Sequence, residues 1–139
     1  MNVAKIEKDA WTEHFAESAH RIAFGKKQDP SAQRIDYALF VVDEGDSPAG
    51  YITVREWDSD TCYWQFGGAL PKAKGTIKSW RVYNACIRWT KEKGYKRITT
   101  YIENDNRAML RFAEKAGFRI TGCRNFKGAV LLEHLLEFE

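Results

Sequence analysis

Cysteine is scarce in this 139-residue chain, and the three present, Cys62, Cys86 and Cys123, are an odd number without paired spacing. Neither a zinc knuckle nor a disulfide framework fits such a set, so no metal centre is expected. Three reduced, largely buried thiols are the expectation. Long apolar runs are missing as well, and no segment suits a membrane span. Lys5, Glu7, Lys8 and Asp9 among the first residues predict a chain without a secretory leader, soluble and cytoplasmic. Charge of one sign is also lacking: 22 Lys and Arg stand against 19 Asp and Glu, a net +3. That balance gives no basis for nucleic-acid binding across the whole surface, so any preference for anions must be local. Finally, no Gly-Lys-Ser/Thr phosphate loop and no three-glycine dinucleotide fingerprint occurs, which removes the usual signatures of nucleoside triphosphate and NAD binding.

What is present is core material. Apolar residues make up 44% of the chain, with five Trp, six Tyr and eight Phe, enough for one folded domain over residues 1–139. The chain is organised around Gly67 to Phe118. Gly67 and Gly68 end an aromatic strand, and a loop with Lys72, Lys74 and Lys78 leads into a helix expected over 80–93. A strand over 97–103 follows, then Asn104-Asp105-Asn106 opens a second helix that stops at Gly117. A glycine-containing loop between strand and helix turns backbone N–H groups on one anion, and the positive end of the helix adds to that field. A diphosphate suits the three lysines; an RNA backbone would suit them too. Asn104 or Asp105 is the expected cap of the second helix, with Asn106 either a cap itself or a side chain free to bond an amide at the mouth, and Met109, Phe112, Ala113 and Ala116 recur at core-facing spacing.

Around this stretch the pattern predicts a first strand over 1–8 and a helix from Asp9 to Gly25. That helix carries an apolar stripe of Trp11, Phe15, Ala19 and Ile22, with His14 and His20 off it. Strands are expected over 36–42, 49–57 and 61–70, and a closing hairpin turns at Lys127-Gly128. Three residues are candidates for proton transfer. Glu56 shares parity with Ile52 and Val54, so it is either a partly buried carboxylate with a raised pKa or a strand end already in water. Glu103 ends a half-polar strand where a cleft would open. His134 alternates with Val130, Leu132, Leu136 and Phe138, as a satisfied core histidine or as an acid or base does.

Lys72-x-x-Gly75-x-Ile77, a helix, a strand, and Asn106-Arg-Ala-Met-Leu-Arg-Phe-Ala-Glu-Lys-Ala-Gly117-Phe118 together resemble the GCN5-related N-acetyltransferase (GNAT) family over residues 65–139. The likeness is to its ribosomal-protein and amino-terminal branch, with a fainter one to short proteins of tailed phages. The resemblance implies an α+β fold, a GNAT-like mixed central sheet of about six or seven strands flanked by three or four helices. It implies acetyl-CoA as cosubstrate and an amine-bearing acceptor, small molecule or protein, which attacks the thioester directly in a ternary complex. A homodimer is compatible with it. A bulged fourth strand, splayed from the fifth, would hold the pantetheine arm and steady an oxyanion; Gly67 and Gly68 suit that bulge. By the same likeness Ala69, Leu70, Lys72, Lys74, Gly75, Thr76, Ile77, Lys78 and Asn106 would hold the cofactor, and Glu56, Glu103 and His134 are the ranked bases.

Three positions depart from the family pattern. Lys72 stands where Arg or Gln is usual, and Ile77 where a Gly or Ala lets the backbone approach a pyrophosphate. Ala113 stands where many members carry a Tyr as general acid. A crowded loop and a missing hydroxyl are the features of an alternative reading, a catalytically inactive GNAT-like binding or phage virion-associated protein.

Overall fold

The computed structural model describes residues 1–7, 35–71 and 77–139. In chain order these form β1 (Asn2–Glu7), β2 (Tyr37–Val42), β3 (Pro48–Glu56), β4 (Thr61–Ala69), α1 (Ile77–Glu92), β5 (Arg97–Glu103), α2 (Arg107–Ala116), β6 (Arg119–Phe126) and β7 (Ala129–Glu137). The strands make one sheet in the order β1-β2-β3-β4-β5-β7-β6. Only β4 and β5 are parallel, and the other pairs are antiparallel, so the sheet is mixed as expected. Two helices lie among the described residues. The helix expected from Asp9 to Gly25, with His14 and His20, lies outside them.

Parity divides the sheet into two faces. Leu39, Val41, Ile52, Val54, Trp64 and Ile98 share the face covered by α1 and α2. In α1 the residues Val82, Ala85, Cys86 and Thr90 are buried at one-face helical spacing, and Ala113 of α2 joins the same cluster. Thr90 is tolerated there because its hydroxyl donates to the Cys86 carbonyl at 2.7 Å. On the opposite face a second cluster gathers Ile35 and Ala38 with Ile6, Phe40 and Phe66. β2 is apolar almost throughout because it contributes to both clusters, Tyr37, Leu39 and Val41 to one and Ala38 and Phe40 to the other.

Two local expectations need correction. The cap of α2 is Asn106, the capping reading of that residue, and not Asn104 or Asp105. Its Oδ1 accepts from the Met109 N–H at 3.3 Å, while Asn104 and Asp105 form the preceding turn, closed by the Asn106 N–H on the Glu103 carbonyl. The three thiols are not all buried either. Cys62 and Cys86 are, but Cys123 is exposed on β6, the last strand of the sheet order. Burial pushes the Cys62 thiol up to about 12 and the Cys86 thiol higher, which leaves both un-ionised at neutral pH. A thiol reagent such as DTNB at pH 8 is therefore expected to label one cysteine per native chain and three after denaturation. Fast native labelling of two or more would contradict the packing of α1 on β4.

Candidate active site

The site begins where β4 and β5 part. Their parallel ladder runs only from Thr61↔Arg97 to Trp64↔Thr100, after which β4 continues along β3 and β5 along β7. A bulge drives the separation. Thr53 pairs with Phe66 but Val54 pairs with Trp64, so Gln65 is the extra residue. The Thr53 hydroxyl fills the kink, donating to the Phe66 carbonyl at 3.0 Å and accepting from the Phe66 N–H at 3.3 Å. At the last shared rung the Thr100 hydroxyl donates to the Trp64 carbonyl at 3.0 Å. A bulged strand bends and twists more strongly, which turns the end of β4 away from β5. The sequence placed this irregularity at Gly67–Gly68, and it lies at Gln65 instead. Gly67 answers a different need: its φ is 147°, and a Cβ there would stand 2.2 Å from the Tyr51 carbonyl oxygen.

The parting leaves backbone groups of β4 facing a cleft. Because the Leu70 N–H bonds to the Ala49 carbonyl at 2.8 Å, the antiparallel alternation turns the amides of Gly67 and Ala69 away from β3. They point to the side that β5 has vacated. The hydroxyl of Tyr83 on α1 lies near the Ala69 amide, and burial raises the pKa of this phenol. Sequence reasoning missed Tyr83. Its place beside Val82 puts it at the border of the apolar stripe, and no local pattern announces that it lies near the end of β4. The Tyr83 ring packs on Phe112 of α2 at 5.1 Å, and Trp80 packs on Phe112 at 5.7 Å, so the two helices meet beside the cleft.

Of the expected cofactor residues, Ala69 is buried at the open edge and Leu70 half-buried beside it. Ile77 opens α1 with its side chain 78% exposed, so the branched side chain turns outward. Lys78 is exposed in the first turn, where the helix field favours an anion. Asn106 stands at the start of α2. Lys72, Lys74, Gly75 and Thr76 lie outside the described residues.

The three expected bases are not together. Glu103 ends β5 on the face opposite the helices and is exposed. His134 is buried on the helix face, opposite Thr100, as the core-histidine reading had it. Its Nδ1 lies 2.9 Å from the Leu132 carbonyl, which can only accept, so Nδ1 carries the proton. Glu56 is set apart. It pairs with Cys62 at the start of β4, seven residues before Ala69, roughly 20 Å down the strand. There it is exposed, accepts from the Tyr95 hydroxyl at 2.5 Å, and lines a cavity of 310 Å³ with Lys5, Ser59, Trp89, Lys93 and Tyr95. Tyr95 in turn bonds Tyr37 at 2.8 Å, so Glu56 terminates a structural chain of hydroxyls.

A polar cluster that the sequence did not reveal occupies the face opposite the helices, at the foot of the cleft. Tyr101 is the first β5 residue beyond the shared rungs, and its hydroxyl donates to Glu133 Oε2 at 2.9 Å. Thr121 donates to Glu133 Oε1 at 2.7 Å. These two bonds hold the Glu133 carboxyl below the usual carboxylate range. Tyr63 meets Tyr101 edge-on at 6.0 Å, Trp57 lies 5.2 Å from Tyr63, and the Arg124 guanidinium sits 4.5 Å over the Tyr101 ring. Among the described residues no group of three or more His, Cys, Asp or Glu could hold a metal ion, and no helix is long and apolar enough to cross a membrane.

The model of the acetyltransferase (GNAT) family matches residues 2–118. No curated protein sequence matches the chain. Among solved structures, the fold is similar to the ribosomal-protein-S18-alanine N-acetyltransferase from Escherichia coli, with a TM-score of 0.77 at 11% identity over 98% of this chain and 92% of that one. It is similar to a GNAT family acetyltransferase from Elizabethkingia anophelis with acetyl-CoA bound, with a TM-score of 0.69 at 15% identity over 99% and 97%. A third is the spermidine/spermine N-acetyltransferase SpeG from Vibrio cholerae, with a TM-score of 0.72 at 10% identity over 98% and 91%. At these identities the likeness is one of fold.

Proposed function

This chain belongs to the acetyltransferase (GNAT) family, and from that premise we propose that it transfers an acetyl group from acetyl-CoA to a primary amine by direct attack within a ternary complex. The observation that carries the reading is the open edge of β4, whose Gly67 and Ala69 amides face a side that no strand fills among the described residues. An extended chain bearing amide groups fits such an edge, because it can take up the bonds a neighbouring strand would have made. Lys78 and the N-terminus of α1 suit its phosphate end, and Asn106 flanks the mouth. When bound, acetyl-CoA supplies the activated thioester.

The residues then divide the work. β4 amides steady negative charge on the acyl oxygen. Glu103, at the far side of the cleft, takes the amine proton directly or through water as the C–N bond forms. As the C–S bond breaks, the departing sulfur needs a proton. Ala113 offers none, whereas Tyr83 holds a protonated hydroxyl at the β4 edge. The outward side chain of Ile77 removes the crowding that favoured an inactive fold, and that alternative is not favoured.

Calorimetric titration with acetyl-CoA is expected to give micromolar binding, with none for ATP. Absence of binding at millimolar acetyl-CoA would overturn the reading. Glu103→Gln is expected to lower turnover by roughly 100-fold with little change in acetyl-CoA affinity. Glu56→Gln is expected to leave turnover within about twofold, because its carboxylate ends a hydroxyl chain remote from the cleft. The reverse ranking would return the base to Glu56.

A further inference from the structure

The polar cluster at the foot of the cleft contains two arginines, Arg55 and Arg124, that make no direct ion pair among the described residues. Arg55 follows the bulge rung on β3 and pairs across the sheet with Tyr63, on the face opposite the helices. Its Nε is buried and has no hydrogen-bond partner. Arg124, on β6, lies over Tyr101. Among the described residues neither forms an ion pair, whereas Arg81 and Arg119 each pair with a glutamate. Arg55 stands opposite Tyr63 across β3 and β4, and Arg124 lies over Tyr101, the ring that meets Tyr63 edge-on at 6.0 Å, so the two arginines flank one pair of rings from β3 and from β6. A buried guanidinium N–H left unpaired is costly, and a cation of this kind is retained where a ligand completes it. Guanidinium groups match carboxylate and phosphate oxygens in particular.

Two glutamates share this face, Glu133 within the aromatic row and Glu103 at the end of β5. The two oxygens of Glu133 are bonded to Tyr101 and Thr121, and it faces the same aromatic row. One surface at the parting of β4 and β5 thus offers a carboxylate, two arginines and the rings of Tyr63 and Tyr101. From this juxtaposition we propose that the acceptor is a small amino acid, an amine that also carries a carboxylate, with Arg55 and Arg124 binding the carboxylate and Glu133 drawing the amine toward the cleft. This rests on the transferase reading above for the acetyl step, and on the arginines for the acceptor class. A polyamine would bring only positive charge to these two guanidiniums and would be repelled.

The test compares L-phenylalanine with phenethylamine and L-lysine with cadaverine, pairs that differ only in the carboxylate. Acetyl transfer is followed by CoA release, and binding of each amine is followed separately by calorimetry. The amino acids are expected to exceed their decarboxylated partners by at least 30-fold in kcat/KM, about what one good charge-assisted contact contributes. Arg124→Gln and Arg55→Gln are expected to raise KM for the amino acids about tenfold or more, to leave kcat and acetyl-CoA affinity near wild type, and to leave the plain amines used as well as before or better. Equal or better use of phenethylamine, cadaverine or spermidine would overturn the proposal, as would arginine variants that impair both members of a pair alike. Its failure is separable from that of the transferase reading. Acetyl-CoA binding with a preference for plain amines defeats the acceptor class alone. Amino-acid binding that depends on Arg55 and Arg124, without acetyl-CoA binding, defeats the transferase reading and leaves the anion site standing.

Discussion

Gly67→Ala is expected to destabilise the protein by about 3 kcal/mol or more, a value at the upper end for a single methyl group. Two effects combine. The φ of 147° is one that residues with a Cβ rarely adopt. The added carbon would also stand 2.2 Å from the Tyr51 oxygen, 2.7 Å from the Ile52 Cα and 2.9 Å from the Tyr51 carbonyl carbon, all backbone of β3. A side chain could swing aside, but a strand in mid-sheet cannot. Relief would need β3 and β4 to separate at the rungs that hold the bulge, and the loss would spread to the open edge. For a chain of this length the melting temperature should fall by roughly 10 °C. Gly94→Ala supplies the control, since Gly94 has φ 95° but nothing within 4 Å of the added carbon. That variant should lose only the backbone component, about 1 kcal/mol. Equal losses in the two variants, read by thermal unfolding, would show that close approach contributes nothing at Gly67.

Much of the fold was legible because its signals are local. The alternation in 97–103 and the apolar run in 37–42 located strands, and the Asn-to-Gly-Phe run located α2 within a residue or two. The site was less legible, because its shape comes from contacts between strands. The bulge falls at Gln65 since Thr53, twelve residues earlier, supplies the hydroxyl that fills the kink. Nothing about Gln65 itself announces this. The glycines were the visible signal, and they record the close approach of β3 instead. Glu56 illustrates a second limit. Its parity was read correctly, but parity says nothing about which end of the sheet a residue occupies. An antiparallel neighbour carries its last residue to the first residues of β4, so Glu56 lies far from the cleft that opens at the last ones. Arg55, Tyr101, Arg124 and Glu133 come from four strands, β3, β5, β6 and β7, and their meeting depends on the β5-β7-β6 order that no local pattern encodes.

Phe112→Ala is the second large expected effect, about 3 to 5 kcal/mol. Phe112 is 2% exposed and fills the space between Trp80 and Tyr83, one turn apart on α1. Truncation leaves a cavity bounded by two large rings that cannot collapse without moving α1. The Lys115 ammonium, 5.3 Å from the Trp80 ring, would lose the fixed surface it covers. Denaturant unfolding should show a lower midpoint with an unchanged slope. Phe112→Met, which conserves most of the volume, should recover the larger part of the loss. The variant also tests how packing reaches the chemistry. Tyr83 is held near the end of β4 by the ring of Phe112, so loosening it should disorder the β4 edge where acetyl-CoA is proposed to bind. The stabilisation conferred by saturating acetyl-CoA should then shrink in Phe112→Ala relative to wild type, beyond what lower intrinsic stability explains, because ligand stabilisation depends on affinity for the folded state alone. If Phe112→Ala lost stability yet kept full stabilisation by acetyl-CoA, the aromatic junction would serve only to join α1 to α2. Tyr83 would then have no part in forming the edge, and the proton for the departing sulfur would have to come from another group or from water.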